Sequence, residues 1–398
     1  TAIGGFVDIG DLVTNGLVGA RFGMSLSWVV LIGIVGIIVF AEMSGRVVAV
    51  SGRPTFDIVR ERLGPRLGLL NLAGSMAVTF LTYIAEIGGI ALSLELATSV
   101  NELLWIPVTA GAVWIVLWKA KFSLLENVAG VLGLSLIVFS VALWQLGPDW
   151  SQLLNTAVRA DKPAGEEWST YAYFAIALFG AAMTPYEVFF FSSGGIEEKW
   201  DASSIRTMRA NVFVGFPLGG LLSLSIAGVA TVVLKPAGIE VDTLGQVALP
   251  VAVSLGKIGL AFAILGFFAA TFGAACETGL SVGYSIAQYF GWQWGKIVRP
   301  FEAARFHLVI LICTVLAAIV LLTTIDPILV TEFSVVFSAI ALPLTYLPIL
   351  VVANERGYMG DHRNVVLANT LGSIYLVLVV VASVAAIPLM IWTKMGTS

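Results

Sequence analysis

The chain is 398 residues long, and 58% of its residues are hydrophobic whereas only 12% are charged. Soluble proteins have roughly 25% charged residues, and apolar stretches of about 20 residues, long enough to cross a bilayer, recur almost end to end. The composition therefore excludes a water-soluble globule and indicates an integral membrane protein. The net charge of −4 leaves no basic patch for a nucleic-acid backbone.

Two further classes of site are not indicated. No G-x-x-x-x-G-K-[ST] motif occurs, so nothing predicts ATP as a partner, and we expect neither an enzyme nor a bound cofactor. The two cysteines, Cys276 and Cys313, lie within apolar segments. This placement argues against a disulfide framework and against a thiolate zinc site.

About eleven apolar spans predict an all-α polytopic membrane protein. Because the number is odd, the two ends of the chain should lie on opposite sides of the membrane. The predicted spans cover roughly residues 1–20, 24–50, 69–98, 103–119, 122–146, 169–196, 210–234, 255–289, 306–324, 327–352 and 364–392.

The basic residues predict the orientation of these spans. If the spans alternate in direction, fifteen of the 21 Lys and Arg residues fall on one side, which the positive-inside rule makes cytoplasmic. We therefore expect a cell-membrane protein with a cytoplasmic N-terminus and an extracellular C-terminus. The fifteen are Arg46, Arg53, Arg60, Arg62, Arg66, Lys119, Lys121, Lys199, Arg206, Arg209, Lys296, Arg299, Arg305, Arg356 and Arg363.

Two spans carry features that interrupt a membrane helix. The first contains Gly4, Gly5, Asp8, Gly10 and Asp11, and a carboxylate at membrane depth is costly unless it lines a cavity or binds a cation. A helix broken at these positions would provide such a cavity.

The sixth span contains Pro185, which removes a helical hydrogen bond in mid-membrane. The two interrupted spans begin about 170 residues apart, with five spans in each unit, as expected of inverted repeats whose first helices are unwound. We expect a single transmembrane transport domain over residues 1–398. It would comprise repeat one at about 1–146, repeat two at about 169–352 and an additional helix at about 364–392.

The residues at the two breaks predict a cation site. Asp8 and Asp11 are three residues apart, so both carboxylates can face one point, where a divalent cation would offset their repulsion. The backbone carbonyls of Gly5 and Ala181 and the hydroxyl of Thr184 would complete an all-oxygen ligand set, which favours hard ions such as Mg²⁺.

A plainer interpretation is that Asp8 and Asp11 cap a helix at the membrane surface. That interpretation would leave Asn15 and Arg21 in lipid, so we favour the cation site.

Other acidic residues are assigned by position. Glu42 lies four residues before Arg46 and predicts a helical ion pair. Glu86 lies near the middle of the third span and Glu187 follows the sixth-span break, so both are candidates for the ion pathway or for supporting the site. The positions of Glu95 and Glu277 do not decide between a functional and a structural role.

These motifs resemble those of the Nramp family of divalent-metal transporters. Asp8–Asp11, followed by Thr14–Asn15, is similar to the family's D-P-G-N and T-N motifs, and Ala181–Tyr186 is similar to A-x-x-M-P-H. Ala85–Gly88 resembles the family's A-E-V-I/L-G segment, and Leu342–Pro348 resembles L-P-F-x-x-x-P. The resemblance implies a LeuT-like 5+5 inverted-repeat fold and transport of divalent cations by alternating access, with Asp8, Asp11, Thr184, Gly5 and Ala181 at the metal.

The departures from the family pattern share a direction. Thr184 replaces the family's methionine ligand and Asp11 its asparagine, and both changes favour Mg²⁺ over softer metals such as Mn²⁺. Tyr186 replaces the histidine and Tyr83 an aspartate, two groups that the resemblance associates with proton passage. The pattern is similar to that of the Nramp-related magnesium transporters, for which the resemblance implies Mg²⁺ uptake without proton coupling.

Three alternatives stay open. A proton-coupled Mn²⁺ or Fe²⁺ transporter of the ordinary Nramp type would need Glu86 or Glu187 to replace the missing proton groups. A transport-dead membrane sensor on the same scaffold would be expected to carry a large soluble signalling domain, and these 398 residues contain none. In an amino-acid carrier, Asp8 and Asp11 would repel the substrate carboxylate.

Overall fold

A computed structural model of the protein describes residues 7–159 and 161–396, and within those residues every regular element is helical. The α-helices are α1 (Ile9–Phe22), α2 (Ser27–Ser51), α3 (Thr55–Thr98), α4 (Glu102–Lys119), α5 (Phe122–Gly133), α6 (Ile137–Leu146), α7 (Trp150–Arg159), α8 (Trp168–Ala182), α9 (Pro185–Glu197), α10 (Ile205–Ala237), α11 (Leu244–Phe290), α12 (Ala304–Leu322), α13 (Pro327–Asn354), α14 (Arg356–Met359) and α15 (Val366–Trp392).

Ten helical segments of the described chain are long and apolar enough to cross a membrane. One of them, Ile9–Ser51, joins α1 to α2 through the 3-10 turn Gly23–Leu26 and so contains the second predicted span and the part of the first from Ile9 onward. A second 3-10 turn, Leu134–Leu136, interrupts the fifth predicted span between α5 and α6. The predicted all-α, multi-span architecture is confirmed.

Helices α3 and α11 begin earlier than the sequence predicts. Each contains one residue with a left-handed φ, Gly64 (φ 82°) in α3 and Gly256 (φ 64°) in α11, where the helix axis kinks. Glycine adopts this backbone conformation without a steric penalty. The third and eighth predicted spans correspond to the parts after these kinks, and the parts before them are additional helical segments.

The predicted break in the sixth span separates α8 from α9. Met183 (φ −124°, ψ 51°) and Thr184 (φ −60°, ψ 130°) connect the two helices in non-helical conformations. Pro185 is the first residue of α9 and has no N–H, so the carbonyl of Ala181 lacks the donor that a continuous helix would provide. The break therefore leaves backbone oxygen atoms available inside the protein.

Helix α1 begins abruptly in the protein interior. Asp8 precedes it in an extended conformation (φ −102°, ψ −178°), and its side chain caps the first turn. The helix packs between α10, α11, α13 and α8, so most of its residues are buried. Gly5, predicted to contribute a carbonyl ligand, lies outside the described residues.

Candidate metal centre

Asp8 is buried at the start of α1, with an exposed fraction of 2%. Its Oδ1 accepts a hydrogen bond from the backbone N–H of Asp11 at 2.8 Å, and its Oδ2 accepts one from the Tyr186 hydroxyl at 3.3 Å. Asp8 does cap a helix, as the plainer interpretation proposed, but the cap lies in the protein interior. A carboxylate can accept several hydrogen bonds and also bind a cation or its water, so these two bonds do not exclude a cation at Asp8.

Asp11 is buried in the first turn of α1. The side-chain amide of Asn15 donates to Asp11 Oδ1 at 2.8 Å, and the hydroxyl of Ser223 on α10 donates to Asp11 Oδ2. Within the described residues no Lys or Arg forms an ion pair with Asp8 or Asp11. Two buried carboxylates are thus stabilised by hydrogen-bond donors alone, an arrangement that leaves room for a cation's charge.

Tyr186, the residue after Pro185, connects the break between α8 and α9 to Asp8, because its hydroxyl donates to Asp8 Oδ2. Thr184 is buried and precedes α9 without using its side chain as a helix cap, so its hydroxyl is not occupied by that role. Ala181 is buried in the last turn of α8. In the described part of the chain no three His, Cys, Asp or Glu side chains gather as metal ligands. A cation here would therefore be bound by two carboxylates together with hydroxyl, carbonyl and water oxygens.

Glu86 and Glu187 are both fully enclosed by the protein. Glu86 Oε1 accepts a hydrogen bond from the backbone N–H of Ile9 at 3.1 Å, so α3 holds the first residue of α1. Among the described residues, Glu86 Oε2 and Glu187 Oε2 have no hydrogen-bond partner. Glu86 is thus adjacent to the predicted site, while a pathway role for either residue stays a prediction.

The two tyrosines predicted to replace proton-carrying groups have different environments. Tyr186 contacts Asp8 directly. The hydroxyl of Tyr83 instead forms a hydrogen bond with Thr314 of α12 at 2.6 Å. Among the contacts of the described residues, only Tyr186 of the two reaches a predicted ligand.

Sequence reasoning missed Ser223. It lies in a Leu- and Ser-rich stretch of α10 with no charged neighbour or motif, and nothing in the sequence distinguishes it from Ser225. Asn15 belongs to the Thr14–Asn15 motif, which by itself does not predict a bond to Asp11. It follows from their i, i+4 spacing on α1.

Comparisons with known proteins agree with this architecture. The family model "Natural resistance-associated macrophage protein-like" (Nramp) matches residues 1–388. The divalent metal cation transporter MntH of Deinococcus radiodurans is 27% identical over 369 residues, covering 89% of this chain and 80% of that protein. MntH of Chromohalobacter salexigens is 25% identical over 396 residues, covering 95% and 87%.

Two kinds of solved structure share the fold. A manganese transporter of Eremococcus coleocola aligns with a TM-score of 0.71 at 16% identity, over 99% of this chain and 92% of that one. Mhp1, a nucleobase-cation-symport-1 family transporter, aligns with a TM-score of 0.63 at 13% identity, over 99% and 91%. The predicted LeuT-like fold class is thereby confirmed. With the family model matching nearly its whole length, the chain belongs to the Nramp family.

Proposed function

We propose that this protein is a multi-pass membrane transporter that takes up divalent cations, with Mg²⁺ as its preferred substrate, by alternating access and without proton coupling. One observation carries the proposal. Asp8 and Asp11 are buried together without a described cationic partner, and each of their oxygens accepts a hydrogen bond from a neutral donor. The MntH relatives, named divalent metal cation transporters, support the general class of substrate.

The preference for Mg²⁺ follows from the chemistry of the donors. Thr184 offers a hard oxygen where the family resemblance places a methionine. The adjacent Met183 is a poor substitute, because its sulfur packs against Gly36 of α2 beside Tyr375 of α15. A site with oxygen donors alone does not give softer metals the thioether bond that would favour them over Mg²⁺.

We propose that the cation binds with part of its water shell. Mg²⁺ requires nearly octahedral geometry and gives up water reluctantly, so it usually binds through only one or two carboxylates. The lone pairs still available on Asp8 and Asp11 can accept hydrogen bonds from such waters. This mode also permits release, which a complete cage of protein ligands would slow.

An acidic cavity supports the proposed entry of cations from the outer side of the membrane. It has a volume of about 500 Å³, adjoins the C-terminal end of α1, and is lined in part by Glu240, Asp242 and Glu332. Its one described basic side chain, Arg21, pairs with Glu166 at 2.8 Å. Carboxylates lining a cleft raise the local concentration of cations. In the proposed topology, with a cytoplasmic N-terminus and two five-span repeats, the residues that line this cavity lie toward the extracellular side.

Proton coupling is not required by the energetics. An inside-negative potential favours entry of a divalent ion by about 4.6 kcal/mol per 100 mV. Tyrosine exchanges protons poorly near neutral pH, so Tyr186 is a weak replacement for a histidine.

Flux into proteoliposomes containing an internal pH dye tests the proposal. With Mg²⁺, Mn²⁺ or Ca²⁺ outside, we expect Mg²⁺ entry without acidification of the lumen. Absence of Mg²⁺ flux would contradict the proposed substrate, and metal-driven acidification that disappears in Asp8→Ala would contradict uncoupled transport.

A proton-coupled Mn²⁺ transporter is the second candidate. The relatives carry the name MntH, and the aligned Eremococcus coleocola structure is a manganese transporter. Glu86 Oε2 and Glu187 Oε2, buried without a described partner, are the groups that such a mechanism would use. The same flux assay distinguishes the two candidates.

A further inference from the structure

Helices α1 and α10 meet along a close seam that brings Ser223 to the metal centre. A Cβ atom on Gly19 of α1 would lie 2.3 Å from the backbone oxygen of Ala227, so the two backbones approach as closely as they do because residue 19 is glycine. Thr231, one turn further along α10, donates to the carbonyl of Gly19 at 3.2 Å. This close packing restricts the position of Ser223, which lies one turn before Ala227 on α10.

At its inner end the seam places Ser223 against Asp11. Ser223 is buried, and its hydroxyl donates to Asp11 Oδ2. Its other available acceptor is the carbonyl of Gly219 in its own helix, at 3.2 Å. Because Asn15 holds Oδ1 from within α1, Ser223 is the donor that fixes the second oxygen of Asp11 from a different helix.

We infer that Ser223 is a positioning residue that sets the cation selectivity of the transporter through Asp11. This inference rests on the proposed function. Asp11 is the carboxylate that stands where the family resemblance has a neutral asparagine, and a buried carboxylate without charge-stabilising donors is costly. The Ser223 hydroxyl lowers that cost and fixes the plane of the carboxylate, so that its remaining lone pairs face a hard, hydrated ion.

The chain offers a matched control on the same helix. Ser225 is also buried in α10, but its hydroxyl contacts Ser140 of α6 at 2.8 Å. Ser223→Ala and Ser225→Ala therefore each remove one hydroxyl from α10. The first hydroxyl lies at the proposed metal site, and the second lies away from it. Ser223→Cys keeps the side-chain size while replacing the hydroxyl with a weak donor.

Mg²⁺ and Mn²⁺ binding to the purified full chain, measured by calorimetry, tests the inference. We expect Ser223→Ala and Ser223→Cys to weaken Mg²⁺ binding about tenfold or more, with a smaller loss for Mn²⁺. Ser225→Ala should bind both ions like the wild type. Equal binding in the wild type and in Ser223→Cys, or an equal loss in Ser225→Ala, would overturn the inference.

A double-mutant cycle separates positioning from a general structural role. In an Asp11→Asn background, removing the Ser223 hydroxyl should change Mn²⁺ binding by less than about twofold, because the carboxylate on which it acts is gone. An undiminished effect of Ser223→Cys in that background would show that the residue acts elsewhere. If the wild type binds neither ion, the proposed function itself fails. If the wild type binds and Asp11→Ala does not, while Ser223→Cys matches the wild type, only this inference fails.

Discussion

The backbone N–H of Ile9 donates to Glu86 Oε1 at 3.1 Å, so a carboxylate from α3 holds the first residue of the helix that carries Asp8 and Asp11. The bond needs an acceptor oxygen, and a neutral amide provides one as well. We therefore expect Glu86→Gln to retain cation uptake within about twofold, whereas Glu86→Ala, which leaves a buried N–H without a partner, should reduce it about tenfold or more. Flux measurements on both variants check this. Loss of uptake in Glu86→Gln would instead indicate that Glu86 must carry charge or a proton.

Removing either central carboxylate should abolish cation binding. Asp8→Ala and Asp11→Ala each delete one of the two carboxylates that we propose as ligands, and each removes little packing. Asp149→Ala, at the exposed start of α7, is the control. Calorimetry should show no measurable Mg²⁺ binding in the first two variants and normal binding in the third, and all three variants should remain folded. Unchanged affinity in Asp8→Ala or Asp11→Ala would remove the proposed site.

Thr184 should determine the preference between hard and soft ions. Thr184→Met supplies a thioether, which binds Mn²⁺ and Cd²⁺ better than Mg²⁺. We expect this variant to raise the ratio of Mn²⁺ to Mg²⁺ affinity about tenfold, while Thr184→Val, which keeps the shape but removes the hydroxyl, should weaken Mg²⁺ alone. Competition binding measures both ratios. A ratio that stays the same in Thr184→Met would place residue 184 away from the ion.

The partly buried Lys296 predicts that the stability of the protein depends on pH. It lies in the loop after α11, where burial lowers its pKa to about 8 and its amino group donates to the carbonyl of Leu117. The ordinary pKa of lysine is higher, so folding releases a proton between pH 8 and about 10.4. The free energy of unfolding should therefore rise with pH across that range.

Melting temperatures of the wild type and Lys296→Met test this dependence. The wild type should gain stability relative to Lys296→Met as the pH rises from 7.5 to 10, because the cost of a buried charge disappears. Lys257→Met, which removes an exposed lysine, should follow the wild type. Parallel curves for all three proteins would contradict the prediction.

Local features of the site could be predicted from the sequence, and contacts between distant segments could not. The break at Pro185 follows from proline's missing N–H, and the pair of Glu42 and Arg46, at 3.1 Å, follows from helical spacing. Ser223 and Asp11 are 212 positions apart, and no periodicity relates them.

The bounds of two helices were missed for a different reason. The third predicted span begins where the sequence becomes strongly apolar, whereas α3 is already helical from Thr55, before its kink at Gly64. The part of α11 before Gly256 is itself apolar, yet the eighth predicted span begins only at about residue 255. Hydrophobicity indicates which residues can lie in the membrane, whereas backbone hydrogen bonding determines which residues are helical.

The last prediction concerns the driving force. If transport is uncoupled, uptake should follow the membrane potential and ignore the pH gradient. A potential of 100 mV, inside negative, contributes about 4.6 kcal/mol for a divalent ion, which corresponds to an accumulation ratio of about 2000 at equilibrium. Proteoliposomes loaded with K⁺ and treated with valinomycin should therefore take up Mg²⁺ faster as the K⁺ gradient increases, at equal internal and external pH. Reversing a pH gradient of one unit at fixed potential should leave the rate unchanged, and vesicles containing Asp11→Ala should show no uptake. Uptake driven by a pH gradient at zero potential would identify a proton-coupled transporter instead, with Glu86 and Glu187 as the groups to examine next.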